Sequence, residues 1–191
     1  MKLAAALKCH CYGIDGIVEF VEASKEKARE YGVETLCHFE VGDVRKKIEE
    51  LGTFDVIILG ATGPIFEDYC TALTSFSRHL TAEGIVMIEE AYSTTPHPFY
   101  LSREELLKQF KLAGMDLIDE TADKYSEFVD SAQEIKSLTI RCNELKTKYP
   151  DKASLFENYA TRQASQANAL ENETICSVMV LKKAQTKCAF I

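Results

Sequence analysis

No stretch of this sequence is apolar over the roughly 20 residues that a membrane-spanning helix needs, so a membrane-spanning class is not expected. Residues 1–7 carry one lysine and a short apolar run before Lys8, without a small-residue cleavage site, and do not read as a secretory leader. A soluble, cytoplasmic protein is expected. Basic residues are outnumbered: 22 Lys and Arg against 30 Asp and Glu give a net charge of −8, with no local basic patch. That balance repels nucleic-acid backbones and anionic membranes, so neither is expected as a partner. Internal repeats, low-complexity tracts and glycine/serine linkers are also missing, which favours one domain over residues 1–191 carrying an insertion.

The seven cysteines are odd in number and scattered, unlike the framework of a small secreted domain. Cys9, His10 and Cys11, with Cys37 and His38 further on, are metal-ligand residue types. Alternation along a strand, however, puts Cys9 and Cys11 on one face and His10 on the other. Thiols packed in an apolar strand are the simpler reading, and no metal is expected.

With 46% hydrophobic and 27% charged residues the chain can build a core. Short apolar β-rich runs alternate with longer helical ones, the pattern of a mostly parallel sheet covered by helices, a doubly wound α/β fold. Strands are expected at 9–14, 36–41, 54–59, 85–88, 115–118 and 175–181. The run FDVIIL at 54–59 suits a strand buried on both faces. Helices are expected at 18–31 with Gly32 as the stop, at 44–51, at 69–80 before a Thr-Ala-Glu-Gly turn, and at 102–113. Ser102 with Glu105 forms a capping box. From 126 to 149 the period lengthens into an amphipathic helix with Phe128, Ala132, Ile135, Leu138, Cys142 and Leu145 on one stripe. Pro150 breaks it, and Asp151 is placed to cap a second helix whose stripe is Ala153, Phe156, Ala160, Ala164 and Ala167. A helical hairpin, inserted at about 123–171 before the last strand, is the expected result.

Two acids are placed to bind a ligand. Asp15 ends the first strand in CYGIDGIVEF, and ligands of open α/β sheets bind outside the carboxyl ends of the strands. It could accept two ribose hydroxyls, although a solvated loop aspartate is an equal alternative. Asp43 follows the next strand in HFEVGDV, where it could accept an adenine amine while Val44 packs on the ring.

These acids, followed in order by FDVIILGATG and LTAEGIVMIEEAY, make residues 1–120 similar to the class I, Rossmann-like S-adenosylmethionine-dependent methyltransferases of small molecules, such as those of quinone biosynthesis. The resemblance implies an antiparallel last strand beside the fifth and S-adenosylmethionine as cofactor. It implies that Asp15 holds the ribose, that Gly16 and Ile17 line the adenine pocket with Asp43 and Val44 facing the base, and that Gly60 lies near the methionine end. The methyl acceptor is then a small molecule. A universal catalytic residue does not follow, and the loop after the fifth strand supplies the substrate candidates Glu89, Glu90, Tyr92 and His97.

Members of that family open with a strand and a GxGxG-type turn, which this chain lacks; residues 2–8 instead resemble the helix after that turn. The chain is therefore expected to begin inside the fold, so that either upstream residues are missing or the two exposed sheet edges close on each other, and to bind cofactor weakly. Two other readings stay open. A nicotinamide-dependent oxidoreductase fragment could also carry an acid at Asp15, and a non-catalytic interaction module could be completed by a partner's strand.

Overall fold

All six strands expected from the sequence are present in the computed structural model, which describes residues 1–124 and 131–185. The chain falls into two units, Met1–Gly52 and Thr53–Ile191.

The first unit runs α1 (Lys2–Leu7), β1 (Cys11–Asp15), α2 (Val18–Glu30), β2 (Cys37–Val41) and a short α3 (Val44–Lys47), which continues as a 3-10 turn at Ile48–Glu50. Strands β1 and β2 pair in parallel, Cys11 opposite Cys37 and Asp15 opposite Val41. Helix α2 stops at Gly32, whose φ of 62° is the left-handed value that a side chain resists. There the amides of Gly32 and Val33 return to the carbonyls of Arg29 and Ala28, the paired bonds of a Schellman cap. Val33 then packs with Ala4 and Ala28 in a small core that Cys11, Cys37 and Phe39 join from the sheet. Gly13 lets the Phe39 ring approach β1 closely, because a Cβ there would sit 2.8 Å from a ring carbon. The alternate residues form the opposite face, where Tyr12 stacks on His38 at 4.7 Å and Glu40 accepts hydrogen bonds from Tyr12 and Lys47.

The second unit contains β3 (Phe54–Gly60), α4 (Tyr69–Ser77), β4 (Leu80–Ser93), α5 (Arg103–Leu112), β5 (Met115–Asp123), α6 (Ser131–Lys148), α7 (Ala153–Asn172) and β6 (Thr174–Lys183). Its sheet has the order β3-β4-β6-β5. β3 and β4 are parallel, while β6 inserts antiparallel to both β4 and β5, as the resemblance implied for the last strand. Val86 and Ile88 of β4 and Met179 and Leu181 of β6 are buried, as are Tyr69, Leu73, Leu106 and Phe110 of α4 and α5. Each of β1 and β3 has a single ladder partner among the described residues.

Three local expectations are corrected. The Thr-Ala-Glu-Gly segment is not a turn before a four-residue strand; it lies inside the 14-residue β4. The ladder steps from Phe54 opposite Leu80 to Val56 opposite Ile85, absorbing the extra residues as a bulge, and β6 carries the pairing out to Ser93. Strand β5 likewise extends to Asp123 because β6 pairs along its length. Asp151 does not cap α7: it lies within a 3-10 turn at Pro150–Lys152, and α7 starts without a side-chain cap.

The two long helices pack as a pair, tied by Lys146 to Glu157 at 2.9 Å. Cys142 is buried and Ile135, Leu138 and Leu145 half-buried, but Ala132 and Ala164 of the expected stripes are exposed. Phe128 and the expected start of the first helix at 126–130 lie outside the described residues.

Candidate functional site

In the first unit both acids lie at or just past the carboxyl ends of paired strands. Asp15 is the last residue of β1, and the Gly42 amide donates to its carbonyl at 2.9 Å, which holds the turn carrying Asp43 at that end of the ladder. One Asp15 carboxylate oxygen accepts from the Ile17 amide at 2.8 Å. Among the described residues its other oxygen accepts no hydrogen bond. Nothing lies within 4 Å of a Cβ built on Gly16, so the turn after Asp15 leaves open space beside the backbone. Ile17 and Val18 are about half exposed, at 48% and 54%, leaving apolar surface beside the acid.

Asp43 caps α3 by accepting from the Arg45 amide at 3.0 Å. The same carboxylate takes the Arg45 guanidinium at 2.9 and 2.8 Å. The guanidinium hydrogen bonds, followed by that of the Arg45 amide, hold the Asp43 carboxyl below its usual range, so it stays an acceptor through mildly acidic pH. Three protein donors leave part of its acceptor capacity free. The partner Arg45 was not foreseen, although it stands only two residues beyond the acid.

In the second unit Gly60 ends β3 opposite Glu89 of β4. A Cβ on Gly60 would stand 3.7 Å from a Glu89 carboxylate oxygen, and the Ala61 amide donates to the Glu89 carbonyl at 3.2 Å. Glu89 is exposed, whereas Glu90 points with Val86 and Ile88 toward the helices and accepts a hydrogen bond from the Tyr69 hydroxyl. The Ala91 amide donates to Glu90 at 2.8 Å. Tyr69 is buried; burial and then Glu90 push its phenol far above the usual range, keeping it a donor. Burial also raises the Tyr92 phenol, which lies beside Glu120. Glu120 pairs with Arg103 at 2.5 Å and accepts from Ser177 at 3.1 Å; the Arg103 pair, more than Ser177, holds its carboxyl down.

The loop after β4 is built around His97. Its Nδ1 accepts from the Phe99 and Tyr100 amides at 3.1 and 3.2 Å, which leaves the proton on Nε2, 3.3 Å from Glu173. Ser93 closes the loop base: its amide donates to Leu101 and its hydroxyl to the Thr95 carbonyl. Glu90, Tyr92 and His97 therefore all have protein partners, while the Glu89 carboxylate forms no hydrogen bond or ion pair with another side chain among the described residues. No group of side chains among the described residues is arranged to hold a metal ion.

The family model of the methyltransferase domain matches residues 1–139, and the chain belongs to that family. The structure is similar to a methyltransferase from Geobacter sulfurreducens in complex with S-adenosylhomocysteine, at 19% identity and a TM-score of 0.73 over 95% of this chain and 78% of that one. A methyltransferase from Thiobacillus denitrificans, also in complex with S-adenosylhomocysteine, gives 17% identity and a TM-score of 0.74 over 95% of this chain and 79% of that one. The [4+2]-cyclase SpnF is similar to the same degree, at 16% identity and a TM-score of 0.74 over 96% of this chain and 69% of that one. No curated protein matches the sequence. The family match assigns the chain to the methyltransferases rather than the nicotinamide oxidoreductases, and no described helix is long and apolar enough to cross a membrane.

Proposed function

We propose that the chain transfers a methyl group from S-adenosylmethionine to a small-molecule acceptor, with Asp15 and Asp43 holding the nucleoside of the cofactor. The reading is carried by two carboxylates at the carboxyl end of one parallel strand pair, each with acceptor capacity left over. Asp15 accepts the ribose hydroxyls beside the open turn at Gly16, and the exposed Ile17 offers apolar contact to the base. Asp43 accepts the adenine amine, with Val44 beside the ring. Arg45 is an exposed partner that can turn into solvent at little cost. The role of Gly60 at the methionine end rests on the family resemblance.

When bound, the cofactor supplies an electrophilic methyl on a sulfonium, displaced in line by the acceptor. The protein's part is to position the reactants and, for a protonated acceptor, to take a proton. Glu89 is the candidate base, because it is exposed and placed beside Gly60 by the β3–β4 register. Glu90, Tyr92 and His97 serve the site by fixing the strand end and the loop after it. One fold hosts many chemistries, so the choice of acceptor is placed in the loops rather than in the fold.

Titration with S-adenosylhomocysteine tests the reading. Asp15→Ala is expected to weaken binding roughly tenfold to hundredfold, the loss of charge-assisted hydrogen bonds. Asp43→Ala should cost about threefold to tenfold, since its acceptor capacity is already shared. Unchanged affinity in both variants refutes the assignment.

A further inference from the structure

The thiols around the start of β1 play no part in the proposed cofactor contacts. Cys9 and Cys11 have their sulfurs 3.9 Å apart, and both side chains are half-buried rather than sealed in the core. Cys37 is the direct ladder partner of Cys11 on β2, so Cys11 has one thiol beside it in sequence and another across the strand pair.

We propose that Cys9 and Cys11 form a peroxide-responsive disulfide, a reversible modification site at the entrance to β1. The two candidate partners of Cys11 differ in freedom. Cys37 is held within the ladder, and the Cys11 amide is itself bonded to Leu36 at 2.8 Å, which fixes the separation of the two strands. Cys9 lies before the first rung, just after Lys8, whose left-handed φ of 54° turns the chain out of α1. Closing the bond draws the sulfurs from 3.9 Å to the roughly 2.0 Å of a disulfide. Residues two apart on an extended strand lie near the upper limit of Cα separation for such a bond, so the backbone has to contract, and only the Cys9 side is free of ladder bonds to do so.

The order of attack follows from the surroundings. Burial and then the Cys9 thiol push the Cys11 thiol up, which makes Cys11 the poorer first nucleophile. The Cys9 thiolate attacks hydrogen peroxide, the O–O bond breaks, and hydroxide leaves and is protonated to water, giving a Cys9 sulfenic acid. The Cys11 sulfur then attacks the Cys9 sulfur, the S–O bond breaks, and the departing hydroxide takes the Cys11 proton as a second water. Two thiols lose two electrons together and the peroxide gains them. A dithiol reductant reverses the reaction.

Peptide mapping of the full chain tests this. The folded protein is treated with peroxide, alkylated under denaturing conditions and cut with trypsin, which places Cys9 and Cys11 together in peptide 9–25 and Cys37 in peptide 30–45. Peptide 9–25 is expected to lose the mass of two hydrogens, to resist alkylation at both cysteines, and to regain two alkylatable thiols after dithiothreitol. Cys37→Ser should leave this result unchanged and Cys9→Ser should abolish it. A disulfide joining peptides 9–25 and 30–45, or full alkylation of Cys9 and Cys11 after peroxide, overturns the proposal.

Discussion

Tyr69 and Glu90 show how much a single contact can decide at the strand end. The phenol is 3% exposed and donates to a carboxylate that also takes the Ala91 amide. Tyr69→Phe removes the donor without changing the shape, leaving a half-buried carboxylate short of a partner. A loss of about 1–3 kcal/mol in urea denaturation is expected; a change below a few tenths would show the bond to be idle. The pH dependence has a defined sign. Because the folded phenol titrates above its usual value of 10.0, its contribution is complete below that value. Above it the unfolded phenol ionises first and stability falls; Tyr69→Phe should lack that alkaline decline. Asp15 and Asp43 were legible as ligand candidates because the first ends one short strand and the second follows the next. The division between Glu89 and Glu90 was latent in the alternation of Val86 and Ile88, which puts Glu90 on their side. Tyr69 left no signal, since nothing in a local pattern pairs residues 21 positions apart.

Helix ends with strong punctuation are legible in the sequence. The Ser102 and Glu105 capping box is present in full, and the left-handed Gly32 and Gly114 follow the ends of α2 and α5. Strand lengths were not legible, because β5 and the carboxyl end of β4 owe their extra residues to β6, which returns only after two long helices. The Thr-Ala-Glu-Gly segment has turn composition but is drawn into β4 by its neighbours. Gly84 is the residue that permits this. A Cβ there would meet the Phe54 carbonyl oxygen at 3.0 Å and the Thr81 nitrogen at 3.1 Å, both backbone atoms that cannot swing aside. Gly84→Ala is expected to destabilise the second unit by about 1–3 kcal/mol through overpacking. The check is hydrogen exchange of the β3 and β4 amides, which should speed up together; unchanged protection would show that the bulge accommodates a methyl group.

For the molecule as a whole, the order of acids and strands carried the family assignment, and the model match over residues 1–139 agrees with it. Acceptor identity was not legible, because the loop after β4 and the α6–α7 pair follow no general pattern. A net charge of −8 predicts no retardation of duplex DNA in a gel shift at physiological salt. The central claim concerns where a nucleoside binds, and amide NMR tests it directly even if binding is weak. On titration with S-adenosylhomocysteine, the amides of Asp15, Gly16, Ile17, Asp43, Val44 and Arg45 are predicted to shift together along one saturation curve. Shifts that leave both strand ends untouched while the ligand binds elsewhere would contradict the account.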